Sequence, residues 1–245
     1  MSSGYYAACT GLVSRTAALD TIANNLANVS TAGFRGSHNN FSSVLATADN
    51  DGLSTLNQDV NDYGVLNGTQ LDSTQGALVP TNNDLDVAIE GPGYFAVEAP
   101  SGEVYTRGGS FRVSAQGKLI TPSGDPVMGD NGPITIAGLP ISISKDGTIT
   151  AKGAISGRLK LVEFPPTTNI QSAGGTYYTA PQGTAIDATK SKVRQGMLES
   201  SNVNPVTSVV ELIEAQRNVE QMRHALTMFS SEMDKTASQD LPRVS

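Results

Sequence analysis

Leu85-Asp86-Val87-Ala88-Ile89-Glu90-Gly91-Pro92-Gly93-Tyr94-Phe95-Ala96-Val97 alternates apolar residues at Leu85, Val87 and Ile89, breaks at Gly91-Pro92-Gly93, and resumes as an apolar run. Alternation at period two marks a strand with one buried face, and the Gly-Pro-Gly break reads as a bend between two such strands. The same pattern continues through Val104-Tyr105-Thr106-Arg107 and Phe111-Arg112-Val113. Turn candidates follow at Pro100-Ser101-Gly102, Ala115-Gln116-Gly117 and Pro122-Ser123-Gly124-Asp125. Lys145-Asp146-Gly147 between Ile141-Ser142-Ile143-Ser144 and Thr148-Ile149-Thr150 is a strong hairpin signal. Arg158 to Phe164 closes the series, and Pro165-Pro166 stops it. Residues 85–164 therefore read as one central antiparallel β-domain, barrel or sandwich.

Outward from that domain the periodicity changes. Segments 46–84 and 165–196 read as extended connections, with a polar run over 47–61 preceded by a short amphipathic piece, Phe41 to Leu45. Beyond them lie two helical patterns. Near the amino end Tyr5, Leu12, Leu19 and Leu26 recur at sevenfold spacing, with Cys9, Thr16 and Ala23 three residues before the later three. Near the carboxyl end Leu212, Val219, Leu226 and Met233 do the same, with Ala215, Met222 and Phe229 three residues after the first three. Such spacing is the seam of one helix lying lengthwise on another. The first helix should run from about Ser3 to about Ala27, with Gly33 free to supply a left-handed stop. The last has Asn204 as N-cap and Pro205 at its first position, and should persist to about Ala237. Asn24, Asn25 and Asn28 are poor interior helix formers, and their crowded amides should bond to a neighbouring chain or to backbone at the turn.

The expected fold is α+β. Terminal helices form a coiled-coil-like helical domain from residues 1–45 and 197–245, around the central β-domain and its connections. The amino-terminal seam is poor in apolar area, so further partners in an assembly would help it. The assembly interface is accordingly expected at Tyr5, Leu12, Leu19, Leu26, Asn24, Asn25, Asn28, Leu212, Ala215, Val219, Met222, Leu226, Phe229 and Met233.

Composition narrows the function. The 245 residues carry a net charge of −7, and no basic cluster is available to neutralise phosphates, so neither nucleic acid nor an anionic membrane is an expected partner. No stretch approaches the ~20 apolar residues of a membrane span. Met1 to Tyr6 lacks the basic start and apolar run of a secretory signal peptide. Cys9 is the single cysteine, which excludes an internal disulfide and suits a packed thiol. His38 and His224, the only histidines, have no metal-site spacing. Asp49-Asn50-Asp51-Gly52 lacks the remaining ligands of a calcium loop, and Gly91-Pro92-Gly93 lacks the third glycine and the helix of a dinucleotide site. No nucleophile elbow, phosphate loop or distinct carboxylate pair is present. The expectation is no catalytic residue, no cofactor and no enzyme.

Four stretches together resemble the axial proteins of the bacterial flagellum, and specifically the basal-body rod family. They are Leu19-Asp20-Thr21-Ile22-Ala23-Asn24-Asn25-Leu26-Ala27-Asn28, Leu85 to Phe95, Tyr105-Thr106-Arg107-Gly108-Gly109-Ser110-Phe111, and Gly196-Met197-Leu198-Glu199-Ser200-Ser201-Asn202-Val203-Asn204-Pro205. The resemblance implies a tubular helical drive shaft in which terminal helices of many subunits bundle in the inner layer while the β-domain faces outward. Its partners would be other copies of the chain and neighbouring axial proteins. It also implies export of the uncleaved chain by the flagellar type III apparatus, and residence in the rod where it crosses the periplasm. The short central region is most similar to proximal-rod subunits, with distal-rod subunits next. Relatives place an aromatic where this chain has Val219. A reading of a different class is an exported β-domain that binds a cell-wall glycan on Tyr94, Tyr105 and Phe111. Their alternation favours core packing instead.

Overall fold

The computed structural model describes residues 3–42 and 65–240. The polar run over 47–61, together with Ser43, Val44 and Leu45 of the piece before it, lies outside them. Two helices occur among the described residues, α1 (Ser3–Ala27) and α2 (Pro205–Asp240), and between them the chain is almost wholly strand and turn. α2 begins at Pro205, directly after Asn204, where the sequence places its first position. No described helix is long and apolar enough to cross a membrane.

The chain divides into two units. In the first, which comprises the described parts of 1–26, 38–69 and 205–245, β1 (Ser37–Ser42) pairs with β2 (Val65–Leu71). Asn39 ties this pair to α1. Its amide donates to the Ala17 carbonyl at 3.2 Å, and its oxygen accepts from the hydroxyls of Thr21 at 3.1 Å and Thr69 at 3.3 Å.

The coiled-coil-like helical domain is not what forms. A coiled coil buries both positions of its heptad along the seam. Among the described side chains of the expected line, Val219 alone is buried on α2, while Leu212, Ala215, Met222 and Leu226 stay partly exposed; on α1 Leu12, Leu19 and Leu26 are partly exposed too. The cause lies in the sequence of the seam. Cys9, Thr16 and Ala23 offer few apolar atoms, and Thr16 turns its hydroxyl back to the Leu12 carbonyl at 2.9 Å rather than outward. The fold is thus α+β with two helices and a mostly antiparallel β-body.

That β-body is the second unit, residues 27–37 and 70–204. Its largest sheet has six strands, in the order β15 (Gln171–Gly174), β16 (Tyr177–Thr179), β6 (Gly102–Thr106), β5 (Tyr94–Ala99), β14 (Leu161–Glu163), β17 (Ile186–Asp187). The order has two free ends, so the sheet is open. A three-stranded sheet, β11 (Ile141–Ile143), β12 (Thr148–Ala151) and β13 (Ala154–Arg158), is joined by the Lys145-Asp146-Gly147 turn and a second tight turn. Shorter pairs complete the unit: β7 (Arg112–Val113) with β8 (Leu119–Ile120), β9 (Met128–Gly129) with β10 (Gly132–Pro133), β3 (Leu78–Pro80) with β19 (Met197–Glu199), and β4 (Val87–Glu90) with β18 (Lys192–Gln195). Every strand pairing in this unit is antiparallel.

The principal core gathers Val87, Ile89, Phe95, Phe111, Leu119, Ile149 and their neighbours. In β11 and β12 the alternate residues are buried, as one covered face requires. In β4 and β5, Val87 to Ile89 and Tyr94 to Val97 are buried without interruption, because elements cover both faces. Gly109 is where such packing demands glycine. A Cβ there would coincide with the Val87 carbonyl oxygen, while the Gly109 carbonyl accepts from the Val87 N–H at 2.9 Å.

Candidate functional site

Behind β5 a smaller aromatic core holds Tyr94, Val162 and Tyr178. Three charged side chains are buried beside it, each from a different part of the chain. Arg35 lies eight residues beyond α1, Arg107 follows β6, and Glu199 ends β19, just ahead of α2. Their side chains are 2%, 0% and 1% exposed. Glu199 Oε1 accepts from Arg35 Nη2 at 3.4 Å and Oε2 accepts from Arg107 Nη1 at 3.0 Å. The Gly76 N–H adds a bond to Oε1 at 3.1 Å. Arg107 Nη2 also donates to the Gly91 carbonyl at 2.6 Å, and Arg35 Nη1 donates to the Ser73 carbonyl.

Two cations and one anion leave this cluster formally positive. The excess is met by an aromatic ring. The guanidinium carbons of Arg35 and Arg107 lie 5.4 and 4.9 Å from the centroid of Tyr94, within cation–π range. Tyr94 is held in turn by edge contacts with Phe164 at 5.5 Å and Tyr178 at 5.9 Å. Burial, and then the charge of Arg35, push the Arg107 guanidinium below its ordinary pKa, while Glu199 pulls it back up. The Nε atoms of both arginines make no hydrogen bond among the described residues, so each guanidinium depends on its Nη groups, Glu199 and the ring. Burial pushes the Tyr178 hydroxyl up to about 12.

Backbone geometry brings the three segments together. Gly33 has φ +72°, and a Cβ on it would overlap Arg107 and Gly108 backbone, so only glycine lets the chain pass this close. Its N–H donates to the Glu199 carbonyl at 2.7 Å, and the Arg35 N–H donates to the Tyr178 hydroxyl at 2.9 Å. One step further along, the Gly36 N–H donates to Asn202 Oδ1 at 2.8 Å, and the Asn202 amide donates to the Asp72 and Thr74 carbonyls at 3.2 and 3.1 Å. The segment leaving α1 and the segment entering α2 are therefore clasped to each other and to the β-body. Residues 72–77 run across both as a strap, with Gln75 bonded to the Ile89 carbonyl and the Gly91 N–H.

The residues expected at an assembly interface lie elsewhere. Leu12, Leu19, Leu26, Leu212, Ala215, Met222 and Leu226 are partly exposed on α1 and α2, Val219 is buried, Asn24 is exposed, Asn25 is buried and Asn28 is half-buried. The side chains of Tyr5, Phe229 and Met233 are outside those described. Missing from that expectation is an exposed apolar stripe on α2: Val206 is 73% exposed, and Val209, Val210 and Ile213 continue it at helical spacing. The clasp was likewise not foreseen, although Arg107 and Glu199 both fall within stretches that carry the family resemblance. A charged residue set into an otherwise apolar strand segment was the available signal. Of the three aromatics of the glycan reading, Tyr94 and Phe111 are buried, in different cores. Among the described residues no group of three His, Cys, Asp or Glu is arranged to hold a metal.

A β-body that clasps the segment leaving α1 to the segment entering α2 is a structural arrangement. Known proteins say which kind. The family described as flagella basal body rod protein matches residues 6–35, the flagellar hook protein FlgE/F/G D1 domain matches residues 88–151, and the flagellar basal body rod FlgEFG protein C-terminal region matches residues 194–240. Each of these three segments contributes one member of the clasp: Arg35, Arg107 and Glu199. The chain is 35% identical over 232 residues to the flagellar basal-body rod protein FlgF of Caulobacter vibrioides, covering 92% of both. It is 36% identical over 222 residues to FlgF of Salmonella typhimurium, with 84% of this chain and 85% of that one covered. To FlgG of Agrobacterium fabrum it is 31% identical over 257 residues, covering 96% and 97%. The chain belongs to the flagellar basal-body rod protein family.

Proposed function

We propose that this structural, non-catalytic subunit of the basal-body rod polymerises through its terminal helices, against other copies and other axial proteins, into a tubular shaft that carries torque from motor to hook. The exposed Val206, Val209, Val210 and Ile213 stripe of α2 is the observation that carries the reading. A helix in water does not keep such a stripe uncovered without cost, and a neighbouring subunit supplies the cover. The interface residues expected on α1 and α2 belong to the same proposal. The clasp then has a mechanical role. Force entering either helix passes through Arg35, Glu199 and Arg107 into the β-body, because the two ends are joined before they separate.

Short central segments favour the proximal part of the rod, with the distal part as the alternative; relatives of both kinds resemble the chain. Export of the uncleaved chain through the flagellar type III apparatus into a rod crossing the periplasm belongs to the same proposal. The test is Val210→Asp and Leu226→Asp in cells lacking the native copy. A charge placed in a surface that becomes buried is costly. The β-body should stay folded by circular dichroism while isolated basal bodies lack the variant and the cells do not swim. Normal swimming with both variants would refute polymerisation through α2.

A further inference from the structure

Residues 190–202, which hold β18 and β19, reach widely separated parts of the β-body. β18 pairs with β4 from Lys192 opposite Glu90 to Gln195 opposite Val87, and β19 pairs with β3 from Met197 opposite Pro80 to Glu199 opposite Leu78. Ser191 Oγ donates to the buried Glu163 at 2.9 Å and accepts from the Gly93 N–H at 2.8 Å. The Gln195 amide donates to the Asp84 and Ile141 carbonyls at 2.9 and 3.1 Å, and its oxygen accepts from the Ile143 N–H at 3.0 Å. One side chain thus joins the approach to β4 with β11. Glu199 supplies the carboxylate that both buried arginines need, and Asn202 bonds Gly36.

This fastening is polar. Val193, at 1%, is the one buried apolar residue of 190–202. An element held by hydrogen bonds and charge exchanges them for water when it leaves, so it opens at lower free energy than an element that carries the core. Opening also rehydrates Arg35, Arg107 and Glu199, whose burial is costly. The bonds are distant in sequence as well. Those from Gln195 to Asp84, from Gly76 to Glu199 and from Gly36 to Asn202 span 111, 123 and 166 positions. β5 with β6, and β11 with β12 and β13, instead join consecutive strands. Closure costs more entropy as the loop lengthens, so such local pairings form ahead of distant ones. Phe95, Phe111, Leu119, Val127 and Ile134 gather in the principal core from elements other than this segment.

We propose that residues 190–202 are a closing segment, which enters the β-body last and leaves it first as one cooperative unit while the principal core stays folded. In the open state Arg35 and Arg107 are hydrated, and the segment leaving α1 is no longer bonded to the segment entering α2. In the closed state Glu199 and Asn202 fix both segments. The chain therefore has two folded states that differ in whether its two ends are joined, and the ionic cluster decides between them. A partner that binds the closed state alone shifts the chain toward it.

The test is amide hydrogen exchange of the intact monomeric chain, read residue by residue in rising concentrations of urea below the unfolding transition. One group of probes is the N–H of Gly33, Val193, Gly196 and Ser200, which donate to the carbonyls of Glu199, Lys145, Asp86 and Ala77. The other is the N–H of Leu119, Val127 and Ile136, which donate to those of Ile134, Leu119 and Gly117. Corrected for intrinsic rates, the first group should exchange at least thirtyfold faster, with one shared and shallower urea dependence. Ile134→Val, in the core, should speed the second group at least twofold and leave the first unchanged, because the first opens without unfolding the core. Glu199→Gln should speed the first group at least tenfold. Equal rates and urea dependence for both groups, or Ile134→Val speeding both alike, overturn the closing segment. A Glu199→Gln effect under twofold overturns the part given to the ionic cluster.

Discussion

Glu199→Gln removes one charge and almost no volume from the centre of the clasp. The Glu199 carboxylate bonds to Arg35 at 3.4 Å, to Arg107 at 3.0 Å and to the Gly76 N–H at 3.1 Å. Glutamine keeps one acceptor oxygen and turns an N–H₂ group toward a guanidinium. Both arginines remain buried with like charges and no counter-ion, so the burial and then the Arg35 charge that lower the Arg107 pKa are no longer offset by Glu199. Breaking a buried pair from one side costs about 3–5 kcal/mol. For a unit of this size that is a fall in unfolding temperature of roughly 10 °C. The assay is thermal and urea unfolding of the monomer, followed by circular dichroism, in low and high salt. The loss should persist in 1 M salt, which screens surface pairs and not buried ones. Glu103→Gln is the control. It breaks the Lys160–Glu103 pair at 2.6 Å, where both side chains are about a third exposed or more, and should cost under about 1 kcal/mol. A Glu199→Gln loss no larger than the control's would refute the reading of Glu199 as the counter-ion that both arginines need.

Tyr178→Phe tests the clasp through pH. The Tyr178 hydroxyl is raised by burial to about 12 in the folded chain, against about 10 unfolded, so its contribution is full below pH 10 and is lost as pH climbs through 12. Unfolding free energy should fall by about 2–3 kcal/mol less over that window in the Phe variant, which also loses the acceptor for the Arg35 N–H; equal alkaline slopes would contradict this. Gly33→Ala should destabilise the second unit by more than about 2 kcal/mol, since the residue combines a positive φ with backbone contact to Arg107 and Gly108; chemical denaturation near the native midpoint would show the site more yielding than its geometry. Replacing the clasp by Arg35→Met, Arg107→Met and Glu199→Leu together should leave the monomer within about 2 kcal/mol of native, because apolar groups of similar volume often replace a buried ionic cluster without loss. Basal bodies should nonetheless incorporate that variant poorly, as quantified by immunoblot; unimpaired incorporation would deny the clasp a role beyond folding.

Helix limits were legible because local signals set them. Asn204-Pro205 states where α2 begins, and the polar run after Ala27 states where α1 ends. The turns of the β-body were legible for the same reason, Gly and Pro at fixed offsets. What the helices pack on was not, since sevenfold spacing says that a face is apolar and not which surface covers it. The Val206 to Ile213 stripe was hidden by the heptad frame, because those residues lie outside the a and d positions assigned to the last helix. Strands in residues 165–196 carry little pattern: β15 is Gln171-Ser172-Ala173-Gly174, exposed throughout. The clasp joins residues 72 to 164 positions apart in sequence, and periodicity is blind to such pairings. Only the charges themselves, Arg35 and Arg107 each beside a glycine and Glu199 after Met197-Leu198, hinted at it.

An ionic clasp is a poor device for stability and a good one for direction. Two arginines and a glutamate lose hydration on burial, and the pairing returns that cost only at correct geometry. An apolar plug would hold the three segments together about as well, yet it would tolerate rotation of one past another. The arrangement here does not. Arg107 is fixed by Glu199 on one Nη and by the Gly91 carbonyl on the other, Arg35 by Glu199 and Ser73, and Tyr94 spans both guanidinium groups. Sliding the exit of α1 by one residue would leave a buried charge unpaired. Asn202 repeats the constraint one step outward by bonding Gly36, Asp72 and Thr74. A joint that is costly in every geometry but one holds the segment leaving α1, the strap of residues 72–77 and the segment entering α2 in a single register within the β-body.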